Sequence, residues 1–380
     1  MNAIYKHTSL RVFQAIGSLF LSLFFSIHIA SAETESNKFH KILFHESLLQ
    51  TELKESTDKL DGNAISVTVV DTNGETISAY AGENISAESL FQAASMSKTV
   101  TAVAVLILAY ENQIELDEDI RPYVPSVNWK SLKGGDLPIS LRQLLSHTAG
   151  ATVHGFPGYK KSKKIPNSKE VVHGGRGVNT PAIKFTKEKD VFSYSGGGYQ
   201  ILQLFIEDTS EQSFETFMKS TILDPLKMKN STFKQPIEPS DIAPLTIAKA
   251  EIRKNKFGWH NYPEQAAAGL WTTSEDYMKF ALVLLQMSQG SNVLNIPNNV
   301  LRPMLKEVDE EYGLGLILSM NKSGSLDYFG HSGTNAGYHC IFKIYPERQI
   351  GIVIMTNSSK SAPLALEILA AADTLGGVIN

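Results

Sequence analysis

The chain has 380 residues, with 35 lysines and arginines against 39 aspartates and glutamates, for a formal net charge of −4. Hydrophobic residues make up 42% and charged ones 19%, a globular balance that supplies a large core. The acidic balance argues against a nucleic-acid binder or a polybasic membrane binder, and the single cysteine, Cys340, excludes an intrachain disulfide.

Residues 1–32 read as a secretory signal. Lys6 and Arg11 give a positive start, residues 12–29 are apolar, and Ala30-Ser31-Ala32 is a small-residue cleavage site before polar Glu33. The expectation is an exported, periplasmic or extracellular chain whose fold is held by its core alone. Residues 36–58 predict an amphipathic helix, with Phe39, Ile42, Leu43, Leu48 and Leu49 at helical spacings. Residues 64–71 and 76–80 predict a β-hairpin around Thr72-Asn73-Gly74-Glu75.

The apolar run 99–110 predicts a buried helix, and Ser95-Met96-Ser97-Lys98 opens it. Ser95 falls at its N-cap or first turn, and Lys98, three residues on, shares a helix face with it. A helix N-terminus offers free backbone N–H groups and favours negative charge. A lysine in apolar surroundings loses its proton more readily than one in water. Nucleophile, base and part of an oxyanion hole can therefore come from one turn.

Residues 116–125 form a connector whose acids, Asp117, Glu118 and Asp119, lack a metal-ligand partner set. Residues 139–145 predict a short helix capped by Ser140. Residues 151–190 read as loop, and Lys160, Lys161, Lys163, Lys164 and Lys169 there form either a solvated patch or a lid that attracts an anionic substrate. Helices follow over 200–208, 211–222 and 276–289, the last with Ser274 as N-cap. Strands follow over 328–331, 338–345 and 350–356, and a helix over 363–375. Cys340 lies in an alternating strand, so it reads as a small buried hydrophobe. Helices fill the middle and strands lie at both ends. The simplest assembly is an α+β fold with one antiparallel sheet flanked by helices. A sheet lobe over about 33–90 plus 326–380 then carries a mostly helical inserted lobe over about 91–325, with a ligand cleft between them.

Three motifs occur in order: Ser95-x-x-Lys98, Tyr194-Ser195-Gly196 and His331-Ser332-Gly333. With Leu144-Leu145-Ser146-His147-Thr148-Ala149-Gly150 and Ala268-Gly269-Leu270-Trp271, they make the chain resemble the serine β-lactamase and penicillin-recognising hydrolase superfamily. The likeness is nearest the class C-like branch, which includes D,D-carboxypeptidases, D-aminopeptidases and esterases, and it covers residues 40–375. The resemblance implies the β-lactamase/transpeptidase-like fold and a serine acyl-enzyme. Ser95 would be the nucleophile, and Lys98 or Tyr194, as a coupled pair, would take its proton. A nearby ammonium would stabilise a Tyr194 phenolate. The N–H groups of Ser95 and Thr334 would form the oxyanion hole, and Gly333 would let substrate lie close to its strand.

Two departures bear on substrate. Gly196 stands where the family has an asparagine whose amide contacts the substrate's acylamide, which disfavours β-lactam hydrolysis. His331 stands where the family commonly has a permanent cation, which weakens carboxylate recognition. His147 invites a Ser-His-Asp triad, but no Gly-x-Ser-x-Gly elbow presents its serine. His154, His173 and His260 have no zinc spacing. The expectation is an exported serine hydrolase acting on a small ester, amide or peptide, with no cofactor or metal. A penicillin-binding protein or β-lactamase is the first alternative, and a catalytically silent binding protein the second.

Overall fold

The computed structural model describes residues 38–58, 63–161, 163–186, 190–238, 240, 246–253 and 256–375. The leader expected over 1–32 lies outside them.

The main sheet is built from β1 (Ile65–Val70), β2 (Thr76–Ala81), and four later strands. A short strand, β3 (Ser89–Gln92), and its partner β4 (Trp271–Thr272) lie outside it. The later strands are β5 (Ile317–Met320), β6 (Leu326–Asn335), β7 (Tyr338–Tyr345) and β8 (Ile350–Thr356). Their order is β5-β6-β7-β8-β1-β2, antiparallel throughout. The N-terminal hairpin thus joins the C-terminal strands as expected, with Ile65 opposite Thr356 and Val70 opposite Gly351.

Both sheet faces are covered, which is why β1 is buried at every position. Ile65, Val67 and Val69 pack with Phe39, Leu49, Leu53, Leu364 and Ile368. Those residues come from α1 (Lys38–Ile42), α2 (Glu46–Thr57) and the C-terminal α8 (Ala362–Thr374). On the alternate positions, Ser66 and Thr68 share hydrogen bonds of 2.7 Å each with the Ser274 hydroxyl of α7 (Ser274–Ser288). The buried hydroxyls are therefore satisfied by one another.

Several sequence expectations shift. The helix expected over 36–58 is two helices, because His45 takes an extended conformation between α1 and α2. Thr273, not Ser274, caps α7 by accepting from the Asp276 N–H at 3.1 Å, and Ser274 is freed for the hydroxyl cluster. Ser140 caps α4 (Leu141–Leu145) through a reciprocal box with Gln143. The helix expected from residue 200 starts at Gly196, as α5 (Gly196–Ser210), and the one expected over 211–222 begins only at Phe214 after Glu211 turns left-handed. The 151–190 loop contains a short helix, Ser168–His173. Lys160, Lys161, Lys163, Lys164 and Lys169 are exposed; Lys161 pairs with Glu238 at 2.8 Å and lies over the Trp259 ring.

The apolar run becomes α3 (Ser97–Glu111), with residues 97–109 buried, and it packs against α5 and α6 (Gln265–Ala268). Its 13 buried residues include every position of the first three turns, so the helix is a core element on all sides.

Candidate active site

β3 delivers the chain to the site. It pairs with β4 through Phe91 opposite Thr272 and Gln92 opposite Trp271, and the Ala93 N–H bonds the Leu270 carbonyl at 2.9 Å. The chain then turns sharply at Ala94, whose φ is +48°, into a 3-10 turn (Ala94–Met96) that runs straight into α3. Ser95 is therefore in the turn before α3 and not an N-cap. It is partly exposed, whereas residues 91–94 and 96–100 are all buried.

Lys98 Nζ lies 3.1 Å from Ser95 Oγ and donates to the Ala267 carbonyl of α6 at 2.8 Å. Lys98 is 2% exposed, and burial pushes its pKa down to about 7. Much of the amine is thus neutral at physiological pH and can accept a proton from Ser95.

The Tyr194 hydroxyl hydrogen-bonds the Ser95 side chain, and Lys98 Nζ sits 5.1 Å over the face of the Tyr194 ring. Burial holds the Tyr194 pKa well above the ordinary phenol value, with the Ser95 contact offsetting part of the rise. The rise runs against the ammonium-stabilised phenolate that the resemblance implies, and of the two groups it is Lys98 whose pKa is lowered towards neutrality.

Third-motif residues occupy β6. β5 pairs with β6 only as far as Gly330, so residues 331–335 have an open edge on that side. A Cβ at Gly333 would meet the Ala93 carbonyl at 2.5 Å and the Ser95 backbone nitrogen at 2.8 Å. The glycine lets β6 press against the Ser95 turn. Thr334, which follows, is exposed. Cys340, opposite Gly333, donates its buried thiol to the Ala93 carbonyl at 2.8 Å.

His331 is held at both ring nitrogens. Its Nδ1 is 2.6 Å from the Ser332 carbonyl, which can only accept, so Nδ1 carries the proton. Nε2 then accepts from the Tyr312 hydroxyl at 3.1 Å. Burial, then the Lys98 charge, pushes the His331 pKa down to about 3. Both nitrogens are engaged and the ring is neutral, so His331 offers substrate neither a cation nor a free N–H. Ser332 Oγ, by contrast, is buried and has no partner among the described residues.

Gly196 opens α5 behind Ser195, whose hydroxyl caps the helix by accepting from the Gly198 N–H at 3.0 Å. A Cβ at Gly196 would lie 2.7 Å from Cε2 of Phe156 and 3.3 Å from the His154 carbonyl. The Phe156 ring thus fills the space that a longer side chain at 196 would need. Residue 156 was missed by sequence reasoning because nothing local marks a loop phenylalanine forty residues upstream as its neighbour. The Ala267 carbonyl was missed as well, since a backbone acceptor leaves no residue-type signal.

These elements reproduce the order and spacing of one known family, and its sequence model, Beta-lactamase, matches residues 53–375. The chain belongs to the beta-lactamase family. Among curated beta-lactamase-family relatives, Protein flp of Staphylococcus aureus (strain N315) is 23% identical over 290 residues, covering 73% of this chain and 55% of its own. The chain spans about half the length of that relative. Two solved structures share the fold. The octameric penicillin-binding protein homologue from Pyrococcus abyssi superposes with TM-score 0.68 at 23% identity, covering 87% of this chain and 77% of that one. D-amino acid amidase from Ochrobactrum anthropi SV3, complexed with L-phenylalanine, gives 0.65 at 19% identity, covering 86% and 98%. At these identities the likeness is one of fold, the antiparallel sheet flanked by helices described above.

Proposed function

We propose that this chain is an exported serine hydrolase that cleaves a small ester or amide through a Ser95 acyl-enzyme. The observation that carries this reading is Lys98 Nζ at 3.1 Å from Ser95 Oγ, with its pKa lowered to about 7. In the proposed step, Ser95 Oγ bonds to the carbonyl carbon while its proton moves to Lys98. The carbonyl π pair moves onto oxygen, towards the N–H groups of Ser95 and Thr334. On collapse, the C–O or C–N bond breaks, and the leaving alcohol or amine takes a proton from the Tyr194 hydroxyl, which Lys98 restores. Water then cleaves the acyl-enzyme by the reverse sequence.

Two features support a substrate without a carboxylate beside the scissile bond and with an apolar acyl group. His331 is neutral and fully engaged, so it cannot pair with a carboxylate. The Phe156 ring lies 2.7 Å from where a Cβ at 196 would be, so it takes space that an asparagine there would need. An ester, or an amide of the kind the D-amino acid amidase fold relative is named for, fits this pocket better than a β-lactam or cell-wall peptide.

Intact-mass and turnover measurements on wild type and Ser95→Ala, with p-nitrophenyl esters, D-amino-acid p-nitroanilides and benzylpenicillin, test this. Esters or anilides consumed only by the Ser95 protein, with penicillin untouched, are the expected result. Penicillin consumed by the Ser95 protein, or a lasting penicillin adduct on it, would move the reading to the lactamase or penicillin-binding alternative. Equal inertness of both proteins would leave the silent-binder alternative. The mass of the chain recovered outside the cytoplasm also reports whether residues 1–32 are removed.

Phe156→Ala is expected to raise KM for esters of bulky apolar acids about tenfold, the effect of losing part of one apolar wall. Steady-state kinetics across a series of acyl chain lengths checks this, and an unchanged chain-length preference would remove Phe156 from the pocket.

A further inference from the structure

His147 has no part in the chemistry just described, yet it makes closer contact with Tyr194 than any other ring does among the described residues, with centroids 4.2 Å apart. Its backbone carbonyl accepts from the Ser193 N–H at 2.9 Å. Its ring nitrogen Nδ1 accepts from the Ser195 N–H at 3.1 Å. One residue therefore holds the peptide groups on both sides of Tyr194 and covers the ring as well. It does so at φ +62°, a left-handed conformation uncommon for residues other than glycine, though histidine enters it more readily than most.

The imidazole itself is costly at this position. Nδ1 accepts, so Nε2 carries the proton, and Nε2 is buried with no partner among the described residues. Around it are the rings of Phe192, Tyr199 and Tyr312. An apolar side chain would pack in this aromatic box without leaving an N–H unpaired. What an apolar side chain cannot supply is the acceptor for Ser195 N–H. Ser195 is also the residue that caps α5, so the same bond fixes where that helix begins relative to Tyr194.

We propose that His147 is a positioning residue for Tyr194, holding its hydroxyl on Ser95 by clamping the Ser193–Ser195 backbone and packing against the ring. This inference rests on the acyl-enzyme reading above for its kinetic consequence, while its structural consequence stands apart from it. Asparagine tolerates the left-handed conformation, and its Oδ1 falls where Nδ1 lies, so it preserves the acceptor. Glutamine places its oxygen one atom further out and does not.

The test compares His147→Ala, His147→Asn and His147→Gln, alone and with Tyr194→Phe. For the esters that wild type turns over, His147→Ala and His147→Gln are expected to lower kcat about 10²-fold with little change in KM, as displacement of a catalytic group does. His147→Asn should recover most of the rate at equal Tm. In the Tyr194→Phe background, His147→Ala should have little further effect, because the loss runs through the same hydroxyl. Losses that multiply across the two sites, or His147→Asn as slow as His147→Ala with the fold intact, would overturn the proposal. A second readout needs no turnover. With ¹³C at the tyrosine ζ carbon, the Tyr194 resonance, identified by its loss in Tyr194→Phe, should shift or broaden in His147→Gln and hold its place in His147→Asn. A resonance unmoved in His147→Gln overturns the clamp. If wild type shows no Ser95-dependent turnover, the proposed function falls while this resonance still decides the positioning. Should His147→Ala fail to fold, the Asn and Gln pair carries both readouts.

Discussion

Lys98→Ala is expected to slow Ser95 acylation by about 10²–10⁴-fold, the range lost when a positioned general base is removed. Lys98→Arg should be no better, because a guanidinium stays protonated and cannot take the serine proton. The pH profile gives the sharper test. Below about 7 the Lys98 amine holds its proton and cannot accept another; above about 7 it is free to do so. The acylation rate of wild type should therefore rise with pH through an apparent pKa near 7, and the limb should be absent in Lys98→Ala. The surrounding histidines do not compete for this assignment. Burial pushes His331 down to about 3, His147 well below the ordinary imidazole value, and His154 down as well, with the Lys98 charge adding to all three. Tyr194 is shifted the other way, above the ordinary phenol value, and would place its limb on the alkaline side. Stopped-flow acylation by an activated ester between about pH 5 and 11 separates these cases. A single limb near 10 would name an unperturbed lysine as the base instead, and a rate still climbing beyond it would name Tyr194.

Gly333→Ala should be the most damaging single methyl in the site. The added Cβ would fall 2.5 Å from one backbone carbonyl and 2.8 Å from the Ser95 backbone nitrogen, and neither is a flexible side-chain end that can swing away. Either β6 or the Ala94–Met96 turn must move. Overpacking of this kind costs about 1–3 kcal/mol, which urea or thermal unfolding would read. The kinetic loss should exceed the loss of stability, because the displaced group is the nucleophile's own turn. A shift near 1 Å there is enough for about 10²-fold in rate. Wild-type acylation and wild-type stability in Gly333→Ala would show that the strand and the turn are not pressed together as described.

Much of the fold was legible in the sequence, and the reason is visible in particular elements. The hairpin over 64–80 and the strands over 338–356 have apolar periodicities and turn residues that are local properties, and they appear in the structure within a residue or two. The 99–110 run is apolar on every side, so it could only be a core helix. Element boundaries were less legible where a tertiary contact competes with a local one. Ser274 looks like a cap from its neighbours alone, but Ser66 and Thr68 take its hydroxyl and leave the cap to Thr273.

The sequence by itself determined the candidate machinery: a serine and a lysine one turn apart beside a buried helix, with a tyrosine and a glycine-bearing strand motif following in order. It also determined the α+β class and the pairing of the two chain ends in one sheet. Only the tertiary structure decided how the protons are shared. Burial sets Lys98 near 7 and raises Tyr194, and burial depends on what α5, α6 and β6 place around them, which no local pattern encodes. It also decided that His331 is spent on Tyr312 and the Ser332 carbonyl, that Phe156 fills the space beside Gly196, and that His147 packs against Tyr194. Each of these is a contact between residues far apart in the chain, where packing geometry, and not residue type, selects the partner.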